Sequence, residues 1–471
     1  MIATSQPRAS AAGLRIFEAG GNAVDAAIAA AAVLCVTEPM STGLGGDAFA
    51  CVWHGGELIG LDAAGPAPVS ADPVEPVDER GPRSVTVPGA VAGWDSLSRR
   101  FGRLGLDTCL GAAIDAAEGG FSVAPMTAAA WASGEGSSTS WAVAAVPPEY
   151  EPVPRPGARV RLPELAATLR RLADEGPPAL YSGAVARAIC EASWLEESDL
   201  ASFVPRWVEP LRTRYGPFEV VELPPPTQGI AALEALALLD PLEPSLVNQV
   251  RCVQLALDDA ARFVRDGADV GHLLEAEYLA SRRGAEQPGA AEPGGGTVYL
   301  CAVDGEGTAV SFIQSLFGSF GAGIVAPGTG VVLQNRGACF ARTGRVEPGR
   351  RPYHTIIPGM LLRDGALAGP FGIMGGFIQA QAHVQFVSAV VDDGLDPQAA
   401  LDRPRFRVDG NSVLLEEGLW DRADEIAALG LEPVRSPETR ADFGCGQLIV
   451  PAGDRLLGAA DARGDGSALG V

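Results

Sequence analysis

The stretch "PGGGTVYLCAVD", residues 293–304, runs three glycines into a threonine and then at once into a β-rich segment. Two readings compete there. In the first, "GAEQPGAAEPGGG" (284–296) is a linker, the best internal boundary in the chain, and Thr297 merely opens a strand. In the second, the chain is cut between Gly296 and Thr297, and Thr297 becomes a new N-terminus. A threonine hydroxyl is a weak nucleophile, but a terminal Thr carries its own base, because an α-amine titrates near ~7.7–8.0. Gly296 has no side chain to obstruct attack on its carbonyl. Taken alone, the local sequence favours the linker.

Downstream of this point the pattern changes character. "TVYLCAVD-GEG-TAVSFIQS" predicts a hairpin, as does "GMLLRDGALAGPFGIM" (359–374), which turns at Asp364–Gly365. Gly375 and Gly376 then lead into a predicted helix, "IQAQAHVQFVSAVV". Such a glycine pair either serves a tight strand-to-helix turn or presents free amides backed by the positive end of the helix dipole, a position suited to an anion. "RFRVDGNSVLLEEG" predicts a third hairpin, and "LWDRADEIAALG" a helix closed by Gly430.

Upstream, 9–19 and 23–36 read as helices, with Asp25 suited to the N-terminus of the second. "STGLGGDAFACVW" (41–53) is a Gly-rich turn entering a strand. A dinucleotide fingerprint has the opposite order, strand then helix, so that reading is set aside. Residues 85–200 are mostly helical, with a loop over 132–158; "FEVVELPPPTQGI" (218–230) is a strand ending in a rigid turn, followed by helices to about 283. Helices first, then strands flanking the 296/297 junction, then mixed elements suit a stacked α/β sandwich better than a doubly wound sheet.

Composition narrows the function classes. A net charge of −23 argues against a nucleic-acid binder and equally against an anionic membrane surface. No lysine occurs, which removes Schiff-base, P-loop and kinase-type chemistry. The eight cysteines form no C-x-x-C pair and the four histidines no H-E-x-x-H, so neither a metal site nor a cofactor is expected. The start of the chain does not read as a signal peptide, and the apolar run 26–36 is too short to span a bilayer, so a cytoplasmic protein is expected.

Read together, the scattered pieces favour the chemical reading. The chain resembles the γ-glutamyltransferase family of N-terminal nucleophile hydrolases in "ASAAGLRIFEAGGNAVDAAIAAAAVLCVTEP" (9–39), "STGLGGDAF" (41–49), "PGAVAGW" (88–94), "LPPPTQG" (223–229), "TVYLCAVDGEGTAVSFIQS" (297–315), "PGTGVVLQN" (327–335) and "GAADARGDGSALG" (458–470). The resemblance implies a four-layer αββα sandwich, self-cleavage between Gly296 and Thr297, and two associated subunits, 1–296 and 297–471. It makes Thr297 the nucleophile, Gly375 and Gly376 the oxyanion amides, and Ser315 the hydroxyl that supports the nucleophile.

The departures from the family pattern bear on substrate. Ala64, in "LDAAGPAP" (61–68), stands where γ-glutamyl enzymes carry an Arg that grips the donor α-carboxylate. Cys339, in "QNRGACF" (334–340), stands where they carry an Asp for the α-amine, and His354 and Thr355 replace a Ser pair. An unpaired ammonium or carboxylate is costly to bury, so a γ-glutamyl donor is disfavoured. The pattern is closer to a divergent branch that includes oxamate amidohydrolase-like and antibiotic-pathway proteins. Asn335, Arg336, His354, Thr355 and Tyr299 are the expected substrate-binding residues, with Arg336 and His354 assigned to a carboxylate beside the scissile carbonyl. Tyr299, two residues along the strand from Thr297, either lines the pocket or packs. The loop "ARTGRVEPGRR" (341–351) is expected to be solvated. The expected activity is hydrolysis of a small, carboxylate-bearing, possibly oxalyl, amide. Alternatives are C–C hydrolysis releasing an oxalyl fragment, true γ-glutamyl chemistry, or a non-catalytic family member. The expected partners are a small substrate and the chain's own two processed pieces.

Overall fold

The computed structural model describes residues 1–132, 146–285, 296–342, 344–437 and 442–471. Most of the expected linker and part of the 132–158 loop lie outside these residues.

Among the described residues, two antiparallel sheets form the centre. The first has seven strands in the order Ser467–Leu469, Ile2–Thr4, Gly296–Val303, Ala309–Phe317, Asp47–His54, Glu57–Ala63 and Arg206–Val208. The second has six: Arg455–Ala460, Cys445–Ala452, Ala366–Met374, Gly359–Arg363, Phe218–Glu222 and Leu211–Tyr215. The sheets face each other where strands Gly296–Val303 and Ala309–Phe317 pack on Ala366–Met374.

Helices cover both outer faces. Ala23–Thr37 lies against the strands Gly296–Val303 and Ala309–Phe317. It is buried on every side, which its run of alanine, valine and leucine permits. Its start is fixed by a capping box: Asn22 accepts from the amides of Val24 and Asp25, and Asp25 accepts from the Asn22 amide. Gly229–Leu239 and Ile378–Val391 cover the second sheet. The result is the four-layer sandwich that the resemblance implies.

The three expected hairpins form, with Asp364 and Gly365 in positive φ at the turn of the second. The segment from 419 onward departs from expectation. It opens as a 3-10 turn, Glu417–Arg422, and only Ala423–Ala427 is α-helical before Gly430. The Gly-rich turn before Asp47 is a place where backbones pass closely. Gly45 sits where a Cβ would lie 2.1 Å from the Val332 carbonyl oxygen, so the glycine is needed for close passage of two backbones. That passage sets Gln334, Asn335 and Arg336 beside the end of the central strands, through the bond from the Gln334 amide to the Gly45 carbonyl (3.1 Å).

Candidate active site

Thr297 is the second residue of the strand Gly296–Val303. Alternation along this strand puts Thr297, Tyr299 and Cys301 on the face turned to the second sheet. The neighbouring strand pairs in regular register up to Gln314 opposite Val298, then slips by one residue so that Phe317 lies opposite Gly296. Ser315 and Leu316 therefore share the place opposite Thr297, a β-bulge, and bulges re-aim side chains. The Ser315 hydroxyl is turned to the junction. It donates to the Gly296 carbonyl oxygen at 2.6 Å and accepts from the Thr297 hydroxyl at 3.3 Å. The Phe317 amide also donates to Ser315 Oγ, at 2.8 Å.

Arg336 completes this group. Its guanidinium is fully buried and donates through Nη2 to Ser315 Oγ (3.3 Å) and through Nη1 to Thr355 Oγ1 (3.1 Å). It lies over the Phe317 ring, 4.4 Å from the centroid. Nε has no acceptor, and no carboxylate lies within ion-pairing distance of the guanidinium among the described residues. Buried guanidinium groups ordinarily have an anionic partner, since the desolvation of a lone charge is expensive.

His354 lies close by but is already engaged. Its Nδ1 is 2.7 Å from the Pro352 carbonyl oxygen and its Nε2 is 2.9 Å from Asp47 Oδ2. Both partners are acceptors, so a proton must sit between Nε2 and Oδ2. Burial and the Arg336 charge push His354 below its ordinary value, against the pull of the Asp47 bond. Asp47 Oδ1 accepts from the Gly65 amide and from Gln334 Nε2, both at 2.9 Å. His354 thus helps to hold the wall behind Arg336, and the buried Asp47 carboxyl group fixes it.

The remaining expected residues fall into two groups. Thr355 and Asn335 belong to the constellation. The Thr355 hydroxyl accepts from Arg336, and Asn335 Oδ1 accepts from the Gly318 amide (2.8 Å), which holds the turn after the bulged strand. Tyr299 does not reach it: its hydroxyl meets Ser311 at 2.9 Å, and its ring lies against Gly372 of the second sheet. That is packing between sheets, the second of the two roles the alternation left open.

Gly375 and Gly376 follow the strand Ala366–Met374, with φ of 134° and 72°, values that L side chains rarely adopt. Among the described residues neither amide donates to a protein acceptor. Gln228 ties this turn to the site: its Nε2 donates to the Thr355 carbonyl (2.7 Å) and to the Gly376 carbonyl (3.4 Å). A continuous chain of contacts therefore leads from Thr297 through Ser315, Arg336, Thr355 and Gln228 to Gly376.

Asp47 and Gln228 were not singled out from the sequence, although both stand inside motifs that were, "STGLGGDAF" and "LPPPTQG". The loop 341–351 needs a correction at one residue. Arg351 is buried, with Nε 2.6 Å from the Ala64 carbonyl and 3.6 Å from Asp62 Oδ2. Burial pushes Asp62 up to about 6, against the pull of Arg351. A solvated loop was expected because its charge density is high; an acid from a distant strand claims one of those charges.

A family model described as gamma-glutamyltranspeptidase matches residues 9–471. The chain is 33% identical to the oxamate amidohydrolase proenzyme of Klebsiella pneumoniae, over 98% of this chain and 96% of that one. It is 30% identical to the acylase ACY 1 proenzyme of Pseudomonas sp. strain SE83, over 100% of this chain and 93% of the other. The crystal structure of a cephalosporin acylase from Bacillus halodurans superposes with a TM-score of 0.90 at 39% identity, covering 99% of this chain and 94% of that one.

Proposed function

Since the chain belongs to the gamma-glutamyltranspeptidase family and is an amide hydrolase of it, we propose that Thr297 is its nucleophile and that its substrate is a small amide with a carboxylate beside the scissile carbonyl. The observation that carries the substrate class is Arg336, a buried guanidinium one hydroxyl away from Thr297 and without a carboxylate partner among the described residues. A substrate carboxylate supplies the missing anion. The similarity to a relative named for oxamate, the smallest amide of this type, supports the same class. Ala64 and Cys339, where γ-glutamyl enzymes place Arg and Asp, leave an α-amino acid head without its partners.

Self-cleavage at Gly296–Thr297 frees the Thr297 α-amine. In turnover that amine takes the proton as Oγ1 attacks the substrate carbonyl. The amides of Gly375 and Gly376 receive the oxyanion, and water releases the acid from the acyl-enzyme. Hydrolysis is favoured over transfer, because no feature of the sequence marks an acceptor site. The protein works as a complex of its two processed pieces.

The test combines N-terminal sequencing with turnover. The smaller fragment is expected to begin Thr-Val-Tyr-Leu-Cys, and Thr297→Ala to stay whole and inactive. Oxamate should be turned over with kcat/KM at least ~10²-fold above a γ-glutamyl anilide, the scale of a lost buried charge pairing. The rate should not change when amine acceptors are added. A preference for the γ-glutamyl compound would refute the substrate class, and an active Thr297→Ala enzyme would refute the nucleophile.

A further inference from the structure

We propose that Arg336 promotes the maturation of this chain, acting through Ser315 on the Gly296–Thr297 bond. The proposal rests on the reading of Thr297 as nucleophile and goes beyond it, because it concerns the step that makes the enzyme. The carbonyl to which Ser315 donates at 2.6 Å is that of Gly296, the one the cut must break. A serine hydroxyl has one proton, and here it is committed to that oxygen. The same Oγ receives three donors: the Thr297 hydroxyl at 3.3 Å, the Phe317 amide at 2.8 Å and Arg336 Nη2 at 3.3 Å. Donors that converge on a hydroxyl oxygen polarise its O–H bond, and a charged donor does so most. With no carboxylate partner among the described residues, Arg336 turns its field on neutral groups: the Ser315 and Thr355 hydroxyls, the Cys339 sulfur and the Phe317 ring.

The geometry closes a proton circuit. Thr297 Oγ1 forms a bond to the Gly296 carbonyl carbon. Its proton passes to Ser315 Oγ while the Ser315 proton passes to the Gly296 carbonyl oxygen, leaving a neutral five-membered ring with a C–OH group. The ring's C–N bond then breaks, and the proton of that hydroxyl goes to the Thr297 nitrogen. The products are an ester between Gly296 and Thr297 Oγ1 and a free α-amine. Water cleaves the ester to give the Gly296 carboxylate and restores the Thr297 hydroxyl. The circuit needs no external base, as it must, since the α-amine does not exist before the cut. Arg336 offsets the negative charge that gathers on Ser315 Oγ and the carbonyl oxygen as the two protons move. It is a positioning and polarising residue: it meets the proton circuit only at Ser315 Oγ, and it gives or takes no proton itself.

The experiment follows cleavage in time. Full-length chains made by cell-free translation are sampled, and conversion of the whole chain to two fragments is fitted to a first-order rate. The set is wild type, Thr297→Ala, Ser315→Ala, Ser315→Thr, Arg336→Met and Arg336→Lys, with the combination of Ser315→Ala and Arg336→Met. Arg336→Met and Ser315→Ala should each slow cleavage at least ~10-fold, as loss of a charge-assisted donor at an oxyanion does. Ser315→Thr should cut at close to the wild-type rate, and Arg336→Lys should fall between wild type and Arg336→Met. Because Arg336 acts through Ser315, the combined variant should cut no more slowly than Ser315→Ala alone.

Only variants whose uncut chain melts as cooperatively as Thr297→Ala are scored. If Arg336→Met fails that criterion, Arg336→Lys alone and combined with Ser315→Ala carries the comparison. An Arg336 variant that cuts at the wild-type rate, or a combined variant slowed by the product of the single effects, overturns the proposal. If wild type is not cut between Gly296 and Thr297, or Thr297→Ala is cut there, the nucleophile reading falls and takes this proposal with it. If both behave as expected and only the Arg336 variants cut normally, the nucleophile reading stands and this proposal alone is refuted.

Discussion

Arg336 carries a full charge to a place from which solvent is excluded, and this shapes what can be learned from single substitutions. Replacing it by Met should raise KM for oxamate about 10–100-fold, the scale of a charged hydrogen bond, and change KM for a neutral amide little. Kinetics on whatever fraction has matured would show the split. Gly375 tests a different part of the chemistry. A Cβ there would lie 2.8 Å from Ile378 Cγ2 and 3.0 Å from Gly444 Cα, and φ is 134°. Gly375→Ala should lower kcat ~10²–10³-fold yet leave self-cleavage intact, because Ser315 serves the oxygen of that step. A variant that matures and then fails to turn over, read on a gel and in an assay of the same sample, would separate the two oxyanion positions. Thr297, Gly375 and Gly376 stood out in the sequence because each marks a break in backbone character, but it was the family resemblance that implied their roles. Asp47 and Gln228 were not, because their roles arise from partners 307 and 148 residues away.

At the scale of elements, the bulge and the sheet interface decide where side chains go. Alternation correctly placed Tyr299 on the face of Thr297, but that face is the seam between two sheets along most of its length. Only its end, where the register slips, opens onto chemistry. Tyr299→Phe should therefore lose about 1 kcal/mol of stability, one buried hydrogen bond to Ser311, with kcat/KM unchanged. Gly372→Ala should cost more, ~1–3 kcal/mol, because its Cβ would stand 2.3 Å from Tyr299 Cε2. Denaturant titration of the two variants, both made in the Thr297→Ala chain, would check the order. The hairpins and the helix Ile378–Val391 were legible from alternation and turn residues, which are local. The slip at Ser315 was not, since nothing in "SFIQSLF" announces an extra residue; it is visible only against the partner strand.

The whole molecule is acidic, and some of that acidity is buried. Glu234 lies in the helix Gly229–Leu239, shielded from solvent. Burial, and then the neighbouring Asp259, push it up to about 10. Folding thus holds a proton on Glu234 that the unfolded chain releases above its ordinary value of 4.5. The stability this provides is complete below about 4.5 and is lost as pH rises toward about 10. Melting temperature should fall between pH 6 and pH 9, and Glu234→Gln, neutral at every pH, should flatten that fall. An equally steep fall in the variant would assign the effect elsewhere. No helix among the described residues is long and apolar enough to cross a membrane.

The interleaving of the strands gives the proposed cut a lasting consequence. In the first sheet, Ile2–Thr4 lies between Ser467–Leu469 and Gly296–Val303; in the second, Phe218–Glu222 pairs with Gly359–Arg363. With the cut proposed between Gly296 and Thr297, neither piece owns a complete sheet, so neither can build the fold without the other. After the cut, refolding is no longer a private event of one chain but a meeting of two, with a rate that depends on concentration. Denatured Thr297→Ala should recover at a rate independent of dilution, whereas denatured mature protein should recover ever more slowly as it is diluted. On this proposal, maturation is a one-way record that folding has already succeeded.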